Sequence, residues 1–203
     1  MKASPSDCCS SAPGSAPQAS GTPCPSDRLR VLFVCLGNIC RSPAAEVICR
    51  AALEKAGLAG RVQADSCGTA SYHVGQRPDA RMRAALDRAG FRDVGHRARC
   101  FSRADFARFD LIVPQDESNR QDLLVLARSE EERARIVPMS SFFADGEAEA
   151  EVPDPYYGGA EGFDAVVALL ERSMPKLLDE LRRRLGLASA APVAAEAPGE
   201  PEA

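Results

Sequence analysis

The residues best suited to chemistry in this sequence are a cysteine and an arginine six positions apart, Cys35 and Arg41. A short apolar run at 31–34 precedes the cysteine and predicts a buried strand. Ser42 and Pro43 follow the arginine and predict the start of a helix, with Ser42 as its N-cap. The chain is therefore expected to run from strand to tight loop to helix, with Cys35 ending the strand and Arg41 beginning the helix.

A loop in this position is suited to binding an anion. Unpaired backbone N–H groups at a helix start, together with the helix dipole, attract a phosphate-sized group. Gly37 and Asn38 tolerate the unusual backbone angles that such a cradle requires. Arg41 can bind two phosphate oxygens with its planar guanidinium group. The same field stabilises a thiolate, so Cys35 is expected to be an ionised nucleophile at neutral pH.

The residues alone also suggest two other interpretations of this loop. An isolated cysteine at the end of a strand is more often part of the core, but here Gly, Asn, Arg and Ser accompany it in register. A glycine-containing loop between a strand and a helix also suggests nucleotide binding. That interpretation fails because no Gly-Lys-Ser/Thr follows.

The elements that must position this loop alternate along the chain. Further strands are predicted at 61–67, 110–113 and 136–137, and helices at 77–89, from 102 to 109, and after the cap-rich turn at 116–119. An apolar stripe at 163–185 predicts a last helix, in which Pro175 indicates a kink or a join. The alternation predicts an α/β fold with a doubly wound, mainly parallel four-stranded sheet and helices on both faces. Ligands of such folds lie at the carboxyl ends of the strands, where Cys35 is predicted.

Composition divides the chain into three parts. Residues 1–27 and 188–203 are rich in Ser, Ala and Pro and are expected to be disordered, with Cys8, Cys9 and Cys24 as exposed spectators. Residues 28–187 are long enough for one domain with its own core. The net charge is −4, to which 1–27 contribute −1 and 188–203 contribute −3, so the domain is neutral. A neutral domain argues against nucleic acid or an acidic membrane as a partner.

The cellular setting is predicted from what the sequence lacks. It contains no apolar run long enough to span a membrane, and its N-terminus has no apolar signal-peptide centre. The eight cysteines show no paired spacing, which is typical of thiols in a reducing compartment. We therefore expect a cytoplasmic protein.

A second chemical group lies far along the chain at Asp154, in the segment Val-Pro-Asp-Pro-Tyr-Tyr-Gly-Gly. Hydrolysis of a phosphate ester by a thiolate requires a separate proton donor for the leaving oxygen. Prolines on both sides of Asp154 stiffen the backbone, and Tyr156 and Tyr157 are suited to stacking on an aromatic substrate. From the residues alone, an ordinary turn explains this segment equally well.

Together, Cys-Leu-Gly-Asn-Ile-Cys-Arg-Ser-Pro at 35–43 and the distant Asp-Pro-Tyr resemble the low-molecular-weight protein tyrosine phosphatases, over 28–187. The resemblance implies a flavodoxin-like fold with a phosphate-binding loop after the first strand. It implies hydrolysis of phosphotyrosine in protein substrates through a phosphocysteine intermediate, without metal or cofactor. Cys35 would be the nucleophile, Arg41 would bind the phosphate, and Asp154 would be the general acid and base. Further phosphate-binding or substrate-binding residues would be Leu36, Gly37, Asn38, Ile39, Cys40, Ser42, Tyr72, Tyr156 and Tyr157.

The resemblance also implies supporting residues. Ser66 and His96 align with family residues that hold the phosphate loop through its asparagine, here Asn38. Asp116 matches an aspartate near the edge of the site. It is expected to help hold the segment that carries Asp154, which we call the acid loop. Tyr72 stands where the family often has tryptophan, so the aromatic rim keeps a different shape. A monomer or weak dimer is expected.

Three alternatives remain open at this stage. Arsenate reductases of the thiol type share the fold but need further cysteines near the site, and no close partner follows Cys100. A phosphoarginine phosphatase branch carries threonine at the position of Ile39, and isoleucine favours an aryl phosphate instead. A non-catalytic phosphotyrosine-binding module would be expected to lack Cys35 or Asp154.

The loop also predicts redox regulation. Cys40 follows Cys35 by five positions within one curled loop, so the two sulfur atoms are expected to come within bonding distance. An exposed thiolate is the kind of sulfur that peroxide oxidises first. A reversible disulfide between the two cysteines is therefore expected.

Overall fold

The computed structural model describes residues 28–92 and 95–188. The segments predicted to be disordered, 1–27 and all but the first residue of 188–203, lie outside the described residues. In chain order the elements are β1 (Leu29–Cys35), α1 (Arg41–Lys55), β2 (Val62–Gly68), α2 (Ala80–Arg88), α3 (Asp105–Arg108), β3 (Leu111–Pro114), α4 (Glu117–Leu126), α5 (Glu130–Ala134), a 3-10 helix (Met139–Phe142) and α6 (Ala160–Arg184).

The strands form a three-stranded parallel sheet in the order β2-β1-β3, so β1 is central. The prediction of a fourth strand at 136–137 is wrong. Ile136 makes one isolated parallel bridge with Ile112, and the Val137 N–H donates to the Ile112 carbonyl at 2.9 Å. Because α5 ends just before this segment and Pro138 follows it without an N–H group, the extended stretch is too short to become a strand.

Both faces of the sheet are buried, which explains why residues 31–34 of β1 are all apolar. Val31 and Phe33 belong to a core cluster that also contains side chains of α1, α2 and α6. Leu32 and Val34 belong to a second cluster, with side chains of α3 and α4. Successive residues of a strand point to opposite faces, so helices pack against both sides of β1. The predicted α/β architecture with a parallel sheet is confirmed.

The last helix, α6, is one continuous element of 25 residues, so the predicted join at Pro175 is wrong. Pro175 and Glu171, one turn earlier, are both exposed. Proline has no N–H group to donate to the Glu171 carbonyl, and the exposure of this face lowers the cost of leaving that carbonyl without an intrahelical partner. In the described part of the chain, no helix combines the length and apolar character needed to cross a bilayer.

Candidate active site

The loop between β1 and α1 is held by one unusual backbone conformation and two close contacts. Asn38 has φ = 55°, and it is the one non-glycine residue with positive φ in 28–92 and 95–188. Gly37 does not need the unusual angle that the sequence suggested. A Cβ atom at Gly37 would lie 2.9 Å from Cδ2 of His73, and one at Gly68 would lie 2.6 Å from the Leu36 carbonyl. Gly68 is therefore required for space, because backbone atoms cannot give way, whereas a side chain at Gly37 would have to displace the His73 ring.

The sulfur of Cys35 is buried at the end of β1, where 3% of the residue is exposed. Its Sγ lies 3.0 Å from Ser42 Oγ and accepts a hydrogen bond from the Asn38 N–H at 3.3 Å. Helix α1 starts at Arg41 with Cys40 in the N-cap position, so the prediction that Ser42 caps the helix is wrong. Because the helix begins earlier, Ser42 lies inside its first turn and its hydroxyl group faces the cysteine.

The fully buried side chain of Asn38 ties the loop to its surroundings. Its Nδ2 group donates to Ser42 Oγ and to Ser66 Oγ, both at 2.9 Å. Its Oδ1 atom accepts a hydrogen bond from the Arg99 N–H at 2.9 Å. The predicted contact of Ser66 with the loop asparagine is therefore present. These bonds fix Asn38 in its left-handed conformation.

A buried carboxylate, Glu46 on α1, lies behind this asparagine and was missed by the sequence analysis. Its Oε2 atom accepts a hydrogen bond from Ser66 Oγ at 2.6 Å and lies 3.4 Å from His96 Nδ1, while Arg50 Nη2 lies 2.6 Å from Oε1. Burial by itself raises the pKa of Glu46, but hydrogen bonds from His96 and Ser66 hold it below its ordinary value. His96 also contacts the Asn38 carbonyl through Nε2 at 3.3 Å. An acidic residue among apolar positions of α1 was the available signal.

The side chain of Arg41 is buried, and three groups hold its guanidinium group. Nη1 donates to Asp116 Oδ2 at 2.5 Å and to the Val152 carbonyl at 3.3 Å, and Nη2 donates to Asp154 Oδ2 at 3.1 Å. Burial by itself lowers the pKa of Arg41, but the nearby charge of Cys35 and the two carboxylates raise it above its ordinary value. Arg41 is therefore a fixed positive charge beside the cysteine.

The segment that carries Asp154 is anchored to the end of β3. The Val152 N–H donates to the Gln115 carbonyl at 2.9 Å, and the Glu117 N–H donates to Glu151 Oε2 at 2.9 Å. Neither anchor was predicted, and both lie next to Asp116, the residue expected to hold this loop.

Asp116 itself joins helix α4 to the arginine. Its Oδ1 atom accepts a hydrogen bond from the Asn119 N–H at 2.6 Å and thereby caps α4, while Oδ2 binds Arg41. Asp116 therefore reaches the acid loop through Arg41, which also binds the Val152 carbonyl and Asp154.

One cavity of about 170 Å³ brings most of the predicted site residues together. Those that line it are Cys35, Leu36, Gly37, Ile39, Cys40, Arg41, Tyr72, Asp154, Tyr156 and Tyr157. The other predicted residues do not line it: Asn38, Ser42, Ser66, His96 and Asp116. These five side chains instead bond to the loop or to Arg41.

The mouth of this cavity is aromatic. The rings of Tyr156 and Tyr157 meet edge to face, with centroids 5.1 Å apart at 85°. His73 also lines the cavity, 6.4 Å from the ring of Tyr156, and its Nδ1 lies 2.8 Å from Gln76 Oε1. Arg81 lies over Tyr156 from outside, with Cζ 5.4 Å from the ring centroid. No local pattern marked His73 or Arg81 as part of the site.

Three groups with complementary chemistry therefore converge on the cavity. A fixed guanidinium group can bind an anion, a sulfur with two hydrogen-bonding neighbours can act as a nucleophile, and a carboxylate can exchange a proton. The side chain of Asp154 is 41% exposed, so it is accessible from solvent. In the part of the chain that the structure describes, no cluster of His, Cys, Asp and Glu is arranged to hold a metal ion.

Comparison with known proteins identifies relatives and solved structures of similar sequence and fold. Residues 30–186 match the family model of low molecular weight phosphotyrosine protein phosphatases. A low molecular weight protein-tyrosine-phosphatase of Streptomyces coelicolor is 41% identical over 157 residues, covering 77% of this chain and 95% of that protein. A low molecular weight phosphotyrosine protein phosphatase of Schizosaccharomyces pombe is 43% identical over 147 residues, covering 71% of this chain and 92% of that protein. The crystal structure of an Entamoeba histolytica protein tyrosine phosphatase superimposes with a TM-score of 0.73 at 39% identity, covering 77% and 98%.

Proposed function

The chain belongs to the family of low molecular weight phosphotyrosine protein phosphatases, and on this premise we propose that it hydrolyses phosphotyrosine in proteins through a covalent phosphocysteine at Cys35. The observation that carries the proposal is that Cys35, Arg41 and Asp154 line one cavity with an aromatic mouth. The aromatic mouth suits the ring of tyrosine, and the base of the cavity suits its phosphate group.

In the first step Cys35 Sγ attacks phosphorus, an S–P bond forms and the bond from phosphorus to the tyrosine oxygen breaks. Arg41 binds the phosphoryl oxygens together with backbone N–H groups of the loop at 36–41, where the loop serves as the phosphate-binding loop. Asp154 donates its proton to the tyrosine oxygen, so that a neutral phenol leaves. Ser66 and His96 keep the loop in shape through Asn38.

In the second step water attacks phosphorus and the S–P bond breaks. Asp154, now ionised, takes a proton from the water, and Cys35 leaves as a thiolate. The Ser42 hydroxyl group at 3.0 Å and the Asn38 N–H at 3.3 Å stabilise the returning charge on sulfur. Inorganic phosphate and the unmodified Cys35 are the products.

Three assays should be compared between the wild type and Cys35→Ser. They measure phosphate release from a phosphotyrosine peptide, phosphate release from phosphoarginine, and reduction of arsenate. We expect turnover of the peptide, loss of that turnover in Cys35→Ser, and little activity toward the other two compounds. Ile39 lines the cavity and supports the choice of an aryl phosphate. Preferential turnover of phosphoarginine or arsenate by the wild type would contradict the proposal.

The cellular setting is part of this proposal. We place the enzyme in the reducing cytoplasm as a monomer or weak dimer, acting on phosphoproteins. The cysteines of the sequence show no paired spacing, which supports a reducing compartment. Cell fractionation tests the location, and light scattering at several protein concentrations tests the oligomeric state.

A further inference from the structure

Exposed apolar side chains are concentrated beside the catalytic cavity. Six large hydrophobic residues are exposed in the described chain: Leu36 (44%), Tyr72 (77%), Val74 (55%), Val125 (83%), Leu126 (41%) and Tyr157 (94%). Four of them, all but Val74 and Tyr157, line one open groove. Single exposed apolar residues are common on proteins, whereas a cluster of them marks a binding surface.

We call this feature the lateral groove. Its lining residues come from four parts of the chain: Leu36 of the phosphate-binding loop, the segment 69–72 after β2, Cys100, and Asp122, Val125 and Leu126 on α4. It encloses about 540 Å³, compared with about 170 Å³ for the catalytic cavity. The groove therefore has room for a large side chain and the backbone beside it.

The lateral groove is continuous with the catalytic cavity because Leu36 and Tyr72 line both. When a phosphotyrosine side chain fills the cavity, a polypeptide that leaves the mouth over Leu36 and Tyr72 continues onto the groove. Adjacent residues of an extended chain are about 3.3–3.6 Å apart, so the residues next to the phosphotyrosine on that side reach the groove.

We propose that the lateral groove binds a large apolar side chain next to the phosphotyrosine of the substrate polypeptide, which makes Val125 and Leu126 determinants of specificity. This inference rests on the proposed function and names the substrate class more closely. Leucine, isoleucine, methionine or phenylalanine beside the phosphotyrosine would cover the exposed apolar surface.

Charge favours the same class of substrate. Among the described residues, Asp122 carries the one carboxylate that lines the groove, and no Lys or Arg lines it. An acidic side chain placed there would meet a like charge without a basic partner. The groove therefore disfavours substrates with an acidic residue at this position.

The test uses phosphotyrosine peptides that differ at one flanking position, with leucine, alanine or aspartate at each of the three positions on either side. The full-length wild type should prefer leucine to alanine at one or more of these positions by roughly tenfold in kcat/KM, mainly through KM. Aspartate should be the poorest of the three residues at that position.

Val125→Asp is the variant that tests the groove, and Val74→Asp is its matched control at an exposed valine that lines neither the groove nor the cavity. Val125→Asp should lose the preference for leucine, and Val74→Asp should keep it. Both variants should turn over a small aryl phosphate at the wild-type rate, which shows that the catalytic cavity and the fold are intact.

The outcomes separate the two proposals. If the wild type turns over the aryl phosphate but shows no flanking preference, or if Val125→Asp keeps it, the groove inference is overturned while the proposed function stands. If Val125→Asp instead abolishes dimerisation, measured by light scattering, and peptides show no preference, the groove binds a second copy of the chain. Absence of aryl phosphate turnover in the wild type would reject the proposed function itself.

Discussion

The guanidinium group of Arg41 forms an ion pair with the carboxylate of Asp154, with 3.1 Å between Nη2 and Oδ2. The residue proposed to bind phosphate is thus paired with the residue proposed to donate the proton. A phosphate dianion in the cavity competes for the same guanidinium group, because its oxygens, like those of the carboxylate, accept charge-assisted hydrogen bonds. We expect substrate binding to draw Arg41 toward the phosphate and to leave Asp154 beside the leaving oxygen.

Replacing the proposed acid, Asp154→Asn, should lower turnover of phosphotyrosine about 10²- to 10⁴-fold. The tyrosine phenol has a pKa of about 10, so its oxygen leaves poorly without a proton. A nitrophenyl phosphate, whose leaving group is far more acidic, should lose much less. KM should stay the same or fall, because one negative charge near the phosphate is removed. Steady-state kinetics with both substrates makes the measurement.

The pH–rate profile and the thermal stability provide the control for this variant. The fall in rate at high pH should flatten in Asp154→Asn, and the melting temperature should stay near that of the wild type. Equal losses on both substrates together with a lower melting temperature would mean that this segment is only a structural turn. If phosphotyrosine turnover stays within a few-fold of the wild type, the acid lies elsewhere, and Asp116 is the next candidate.

Oxidation should be reversible through Cys40. Burial, together with the nearby Asp79 carboxylate, raises the pKa of the Cys40 thiol above its ordinary value, so Cys40 is not the sulfur that peroxide oxidises first. Peroxide would oxidise Cys35 to a sulfenic acid, and the Cys40 sulfur would then displace water to form a disulfide. After peroxide, added thiol should restore the activity of the wild type and restore less in Cys40→Ser, where Cys35 is oxidised further.

The matched control for this prediction is Cys100→Ser, which removes a half-exposed thiol outside the catalytic cavity. Its activity should recover as fully as that of the wild type. Mass spectrometry of the oxidised wild type should find the Cys35–Cys40 disulfide. Equal recovery in all three proteins would remove Cys40 from the mechanism.

Glu46 should make folding stability depend on pH. Its pKa lies below the ordinary value in the folded protein, so the folded state favours the ionised form. This contribution is fully present above the unfolded value of about 4.3 and is lost as pH falls toward the lower folded value. The stability difference between wild type and Glu46→Gln, measured by urea unfolding, should therefore be largest near neutral pH and shrink below about pH 4. A difference that does not change with pH would contradict this account.

The same variant should also lower activity, because Glu46 holds Ser66, and Ser66 contacts the loop asparagine. Glu54→Gln, on the exposed face of the same helix, is the control and should change neither property. A loss of kcat in Glu46→Gln, measured at a temperature where the variant is still fully folded, would show that the carboxylate positions the loop as well as stabilising the fold.

The terminal extensions should be dispensable for activity. The family match covers 30–186, and Leu187 is the last residue packed against the core. A protein limited to 28–187 should keep the melting temperature and the aryl phosphate turnover of the full chain. One that ends at 184 should melt lower, because it lacks the partly buried Leu185 and Leu187. A large loss in the 28–187 protein would mean that an extension packs on the domain.

The sequence by itself was sufficient for the parts of the protein that depend on local order. The apolar run before Cys35 and the spacing to Arg41 predicted the strand, loop and helix, because neighbouring residues determine those backbone conformations. The alternation of strands and helices predicted a parallel sheet with both faces buried. The fourth strand failed because periodicity over two residues, 136–137, carries too little information.

Only the tertiary structure decided which distant side chains meet. From local sequence, Asp154 was as consistent with a turn as with an acid, and its contact with Arg41 spans 113 positions. His73, which lines the cavity, carried no pattern that pointed to the site, and the acidic residue among apolar positions at Glu46 did not show what it would contact. Such contacts depend on how helices pack on the sheet and where the strands end. Short-range propensity does not encode that packing, which burial of the whole core determines.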